Sequence, residues 1–121
     1  MATMNTVIER VDKVKPNAFD ADIKLGWLSK VEGTISTEVY GMAEPRVPRV
    51  PEDADEELMA PEAFDDIYDL YLSAMIDFHN REYEEYNASA TLFHERMQAL
   101  KTWYIQHHTS SRARNFRNVM G

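Results

Sequence analysis

IDFHNREYEEYN, residues 76–87, sets a histidine and four carboxylates among three aromatic residues, and the fold turns on whether a helix runs through it. Upstream, Phe64, Ile67, Tyr71, Ala74 and Phe78 recur at steps of three and four, with Tyr68, Leu72 and Met75 widening the stripe. Downstream, Tyr83, Tyr86, Ala90, Phe93, Met97, Leu100 and Tyr104 keep the same alternation. Between Phe78 and Tyr83 the step is five, which in a continuous helix would rotate the stripe by about 140°. The spacing therefore predicts a break near Asn80 and Arg81, asparagine being tolerated at a left-handed helix end. Two helices should fold back on each other there, with Pro61 as the first residue of the earlier one and the acids Glu62, Asp65 and Asp66 at its positive end.

Working toward the N-terminus, Val7, Val11 and Val14 predict a short amphipathic helix over residues 4–14, closed by Pro16. Asp20 is placed to cap a second helix, with Ile23, Trp27, Val31, Ile35, Val39 and Met42 along one stripe, Leu28 beside it and Gly41 near its end. Gly26 and Gly33 interrupt that helix, each at a cost of about 1 kcal/mol unless a close contact requires it. The expected architecture is all-α: a small bundle of about four helices in a single domain, as the length of 121 residues implies.

Residues 43–61, AEPRVPRVPEDADEELMAP, hold four of the five prolines and cannot continue a helix. Loops of this length in small domains serve a function or stay disordered. The alternation of proline with arginine and valine predicts a stiff, extended arm ending on the apolar pair Leu58 and Met59.

Charge is uneven. Between Glu44 and Asp69 ten acids face Arg46 and Arg49, so this stretch equals the whole imbalance of −8. The last seventeen residues carry Arg112, Arg114 and Arg117 with no acid, predicting a flexible basic tail over 107–121. Such asymmetry suits two surfaces with different electrostatic partners, and suits equally a solvated loop and a frayed end. With 44% hydrophobic residues and 28% charged ones the composition is that of a globular protein. The absence of cysteine excludes disulfides and thiolate metal sites. No apolar run approaches the roughly 20 residues that span a bilayer, and the first residues are charged where a signal peptide is apolar, so an intracellular protein with no membrane partner is expected.

Catalytic and metal signatures fail on spacing. No glutamate lies three residues before any of the four histidines, as helical di-iron sites require. HERMQ, residues 94–98, puts Gln98 where the zinc-protease motif needs its second imidazole. His107 and His108 are adjacent and diverge by about 100° on a helix. His79 has Asp77 and Glu82 near it but no nucleophile pattern, and reads as a structural histidine. Asn87 reads as a local helix cap, and Tyr83 and Tyr86 suit a core seam and a subunit interface equally. No cofactor, metal or enzymatic activity is expected. The tail's three arginines with Phe116 are too few for nucleic-acid binding in so acidic a chain, and point to a protein partner.

The run LMAPEAFDDIYDLYLSAMIDFHNREYEEYNASATLFHERMQALKTWY (58–104), with VIERVDKVKPNAFDADIKLGWLSKVEGTISTEV (7–39), resembles the small head–tail connector, or neck adaptor, proteins of long-tailed bacteriophages and prophages, particularly those of Firmicutes. The resemblance lies in an order of features: short helix, KPN turn, WL-containing helix, acidic loop, DxYxLYL helix, then a YNxSAxLF-like helix. Asn80 and Arg81 depart from it, the related corner favouring glycine. It implies a non-enzymatic virion protein, made in the bacterial cytoplasm, that forms a ring of about twelve subunits beneath the portal. Such a ring extends the DNA channel and joins the head to the next neck or tail-completion protein, DNA passing through without sequence-specific binding.

Within that reading, Pro48, Val50, Pro51, Leu58 and Met59 are expected at the subunit interface, the arm gripping a neighbouring copy. Glu52, Asp53, Asp55, Glu56 and Glu57 would line the channel and repel DNA, and Arg112, Arg114, Phe116 and Arg117 would dock the portal. A small helical regulatory or protein-binding module with no virion role would suit the same helices and acidic loop.

Overall fold

The computed structural model describes residues 2–120, with side chains described as far as His107. Four helices occur in the order α1 (Met4–Val14), α2 (Ala21–Glu38), α3 (Asp66–His79) and α4 (Tyr83–Met120), with a 3₁₀ turn over Glu62–Phe64. Among the described residues, α3 is the central element, packed against α4 on one side and α1 and α2 on the other. The all-helical bundle matches the expectation from the sequence.

The corner forms where the phase slips. Helix α3 ends at His79, and the Asn80 and Glu82 amides donate to the carbonyls of Ile76 and Asp77 at 3.0 and 2.9 Å. The left-handed residue is Arg81, with φ +61°, rather than Asn80, whose φ is −87°. The helices then run antiparallel: Tyr71 meets Phe93 with ring centroids 5.4 Å apart, and Phe64 meets Trp103 at 5.8 Å. Arg96 straps their far end, its Nε 3.0 Å from Asp66, its Nη2 donating to the Ala63 carbonyl at 2.7 Å, and its guanidinium over the Phe64 ring. Pro61 precedes a 3₁₀ turn rather than opening the helix, which begins at Asp66.

Being central, α3 is buried on two sides, so Ile76 and Asp77 join Ile67, Tyr68, Leu72 and Ala74 inside while Phe78 is 45% exposed. A single stripe cannot describe such a helix. On α4, Met97 and Leu100 are buried, Tyr86, Ala90, Phe93 and Tyr104 are half-buried, and Tyr83 lies outside. Asn87 is interior to α4 rather than a cap, its carbonyl accepting from the Thr91 hydroxyl.

Helix α1 starts from a reciprocal cap between Thr3 and Thr6 and buries Met4, Val7, Ile8 and Val11. Val14 sits about 70° off the centre of that stripe, in the last turn, and is exposed. The next residue, Lys15, reaches across to the fully buried Asp77, with Nζ 2.7 and 2.9 Å from its two oxygens. Asp20 flanks α2 as expected, through its carbonyl rather than its side chain.

Helix α2 departs most from the expected stripe. Ile23 and Met42 are exposed, and the buried sector runs through Leu25, Leu28, Val31, Glu32, Ile35 and Ser36. The cause is a second cover. Residues 45–48 lie along α2, held where the Ser36 hydroxyl accepts from the Arg46 amide at 2.8 Å and the Ser29 hydroxyl donates to the Pro48 carbonyl at 2.6 Å.

Between these two clamps the loop crosses Gly33, where a Cβ would lie 2.8 Å from Cγ2 of Val47. Gly26 has nothing within 4 Å of its missing Cβ. Gly26→Ala should therefore stabilise the protein by up to about 1 kcal/mol from helix propensity alone. Gly33→Ala should show little of that gain unless Val47→Ala accompanies it. Thermal unfolding of the three variants checks both expectations, and equal gains at the two glycines would contradict the packing described.

Candidate functional site

The segment expected to be a free arm is fastened to its own chain along its length. After the clamps on α2, the chain turns at a cis Val50–Pro51 peptide, and Asp53 closes the turn by accepting from the Arg49 amide at 2.8 Å. The Ala54 carbonyl then accepts from the Asn5 amide, and the Leu58 amide donates to the Ala2 carbonyl at 2.9 Å, with a bridge between Thr3 and Glu57. Ala54, Leu58 and Ala60 enter the core, each about 5% exposed or less.

At its end the loop meets a buried carboxylate. Glu32, fully inside α2, accepts from the Met59 amide at 2.8 Å on one oxygen and from the Tyr68 hydroxyl at 2.7 Å on the other. The Tyr68 hydroxyl in turn accepts from the Ala60 amide at 3.0 Å, and the Tyr40 hydroxyl donates to the Met59 carbonyl at 2.9 Å. Three side chains thus satisfy three consecutive backbone groups that have no helix or sheet to pair with. Among the described residues, no buried side-chain polar atom lacks a partner.

This corrects the arm hypothesis at its anchor. Leu58 is buried in its own protomer and Met59 is half-buried and hydrogen-bonded at both backbone groups, so neither is free to grip a neighbour as placed. Pro48 is half-buried, its carbonyl bound to Ser29, while Val50 and Pro51 stand at the surface beside Val47. The structure separates the five proposed interface residues into an inner pair and an outer edge.

The five acids of the proposed channel surface are brought together on the turn that follows. Glu52, Asp55, Glu56 and Glu57 are exposed, and Asp53 is half-buried. Asp55 accepts from the Asn5 side chain at 2.7 Å, and Asp53 lies 3.6 Å from the Arg49 guanidinium. The side chains of Arg112, Arg114, Phe116 and Arg117 lie outside the described residues, as does the expected flexible character of 107–121.

His79, at the corner, is exposed but stacked on Trp27, with centroids 5.0 Å apart and planes within 7°, and edge-on to Phe19 and Phe78. Among the described residues no group of three or more His, Asp or Glu side chains converges as a metal site, and no helix is long and apolar enough to cross a membrane.

Sequence reasoning missed Glu32, Tyr68 as its partner, and the Lys15–Asp77 pair. The signal was available only in part: an acid at position 32 inside an apolar stripe is the one local clue, and its partners lie 27 and 36 residues away. Comparison with protein-family models, curated proteins and solved structures finds no match to this chain.

Burial raises the Glu32 carboxyl above the ordinary carboxylate range, against hydrogen bonds from Tyr68 and Met59 that lower it. Asp69 is raised likewise, by burial opposed by its bond to Arg10. The same burial, with Glu32 close by, pushes the Tyr68 hydroxyl far up. A carboxyl raised in the folded state binds its proton more tightly there than when unfolded. Stability should therefore increase as pH falls from neutral through the raised value, levelling off below the ordinary 4.5. Melting temperatures measured from pH 7 downward should show that rise, reduced in Glu32→Gln; identical slopes in the two proteins would contradict it. Glu32→Ala, which strands the Met59 amide and the Tyr68 hydroxyl, should cost about 3 kcal/mol and open residues 43–60 to limited proteolysis.

Proposed function

We propose that this protein is a structural component of a virion neck, a head–tail connector whose copies form a ring under the portal and continue the DNA channel toward the tail. The order of sequence features supports the reading, and the all-helical bundle is compatible with it. The observation that carries it is the loop's outer edge. Met42, Val47 and Val50 are 40, 54 and 37% exposed on a segment whose backbone is clamped at Ser29, Ser36 and Glu32. An apolar edge already held in one conformation loses little entropy on docking, which suits the heterologous interface that a closed ring requires.

The revised assignment places the subunit contact on Val47, Pro48, Val50 and Pro51, and leaves Leu58 and Met59 as the internal fastening that stiffens them. The acids Glu52, Asp55, Glu56 and Glu57 follow directly on this edge, so copies joined along it would carry a ring of negative charge, which DNA passes without adhering. A regulatory helical module would use the same edge on a different partner, and it is told apart by its genetic neighbours, since a connector is encoded just downstream of portal and capsid proteins.

Val47→Asp combined with Val50→Asp should leave the protein folded, both side chains being partly exposed, and should abolish portal-associated rings. Electron microscopy of the protein mixed with the portal protein encoded beside it reads the outcome. Wild-type protein that fails to add a ring to that portal, or a double variant that adds one normally, would remove the proposal.

A further inference from the structure

The contact proposed for the loop's outer edge is heterologous, so a different surface of the same chain must receive it. Among the described residues, the large apolar side chains exposed outside that loop are Val14, Ile23, Phe78, Tyr83, Leu92 and Ile105. Leu92 and Ile105 stand about 20 Å apart along α4. Phe78 instead belongs to a connected row of rings at the start of α2 and the end of α3. Phe19 meets Trp27 with centroids 5.4 Å apart, Trp27 stacks on His79 at 5.0 Å, and His79 meets Phe78 at 5.5 Å. Phe78 and His79 are exposed, and Phe19 and Trp27 are half-buried. Ile23, also exposed, lies one turn before Trp27 on the same face of α2.

This row and the loop's edge lie on opposite flanks of α2. The loop is clamped over Ser29, Gly33 and Ser36, and Trp27 projects about 120–180° round the helix from those three. Two such surfaces cannot meet within one protomer, but they can join successive copies head to tail. Their chemistry is complementary. The edge, PRVPRVP at 45–51, has a proline at every third position and two arginines without an acid. Lys30 lies on its side of the helix, lining a groove with Pro45 and Val47. Proline-bearing segments dock on aromatic rows, and guanidinium groups rest on ring faces, as Arg96 does over Phe64 at 5.0 Å. On the other flank, Glu82 offsets Arg81 at the corner, and Asp20 adjoins Phe19 in the chain. Asp20 is exposed and takes part in none of the ion pairs among the described residues. We infer that the row of Phe19, Trp27, His79 and Phe78 receives residues 47–51 of a second copy of this chain. The inference rests on the reading of that edge as a subunit contact and supplies its other half.

The chain has no cysteine, so introduced thiols report contacts without background. Full-length Val50→Cys protein is mixed at high concentration with size-tagged Ile23→Cys protein, oxidised mildly and resolved without reductant. All the positions used are partly exposed, which keeps the variants folded. The expected product is the mixed disulfide dimer, several-fold more abundant than with Leu92→Cys in place of Ile23→Cys, and lost when Phe78→Asp is added to the Ile23→Cys chain. A mixed dimer no more abundant than the Leu92 control, a predominance of Val50–Val50 dimers, insensitivity to Phe78→Asp, or no dimer at all would each overturn the assignment. Because no portal is needed, the two readings fail separately. The mixed dimer without rings on the portal would remove the connector and keep the contact, and rings without the mixed dimer would do the reverse.

Discussion

A carboxylate without access to water organises this small protein. Glu32 sits inside the bundle because a nineteen-residue connection, residues 43–61, crosses the surface with backbone groups that no strand or helix can satisfy. One side chain from α2 and one from α3, joined to each other at 2.7 Å, take up two successive amides of that connection, and Tyr40 takes the carbonyl between them. The charge is costly to bury, and both its oxygens are hydrogen-bonded, which is the condition under which such burial is tolerated. Helix α2 then presents two faces inward, one to α1 and α3 and one to the loop, so Gly33, Ser29 and Ser36 are as much part of its packing as Leu28 and Ile35.

What could be read in the sequence was local. The hairpin was read from a five-residue step between two apolar series, which in one continuous helix would turn the stripe by about 140°. The left-handed position fell on Arg81 rather than its neighbour, a difference of one residue that periodicity does not resolve. The stripe on α4 held at Met97 and Leu100, where one face meets α3. On α2 and α3 it was right but incomplete: Val31, Ile35, Val39, Ile67, Tyr68, Leu72 and Ala74 are buried, while Ile23, Met42 and Phe78 are exposed, and both helices are covered on a second side to which Ile76, Asp77 and Glu32 belong.

The loop shows a different limit. Its prolines forbid a helix, and no α-helix forms between Glu38 and Asp66. Whether a stiff segment projects or lies down depends on distant partners: Ser29 for Pro48, Ala2 for Leu58, Glu32 for Met59. None of those pairings has a signature within a short window. The acids 52–57 are gathered at the surface, as their density suggested, whereas the apolar pair that follows them turns inward. The outer edge at Val47 and Val50 inherits the part that the inner pair was expected to play in the proposed assembly.

The fastening of the loop also governs how its length can vary. Connections between helices ordinarily absorb added or lost residues with little consequence, but here the distance along the chain from Pro48 to Met59 is fixed at both ends by Ser29 and Glu32 on one rigid helix. One residue gained between Ala54 and Ala60 would shift Leu58 out of the core and break the alignment with residues 2–5. Only the exposed bend at Pro51 and Glu52 is open to insertion, so divergent relatives should differ in size there and keep the remainder of the connection at constant length.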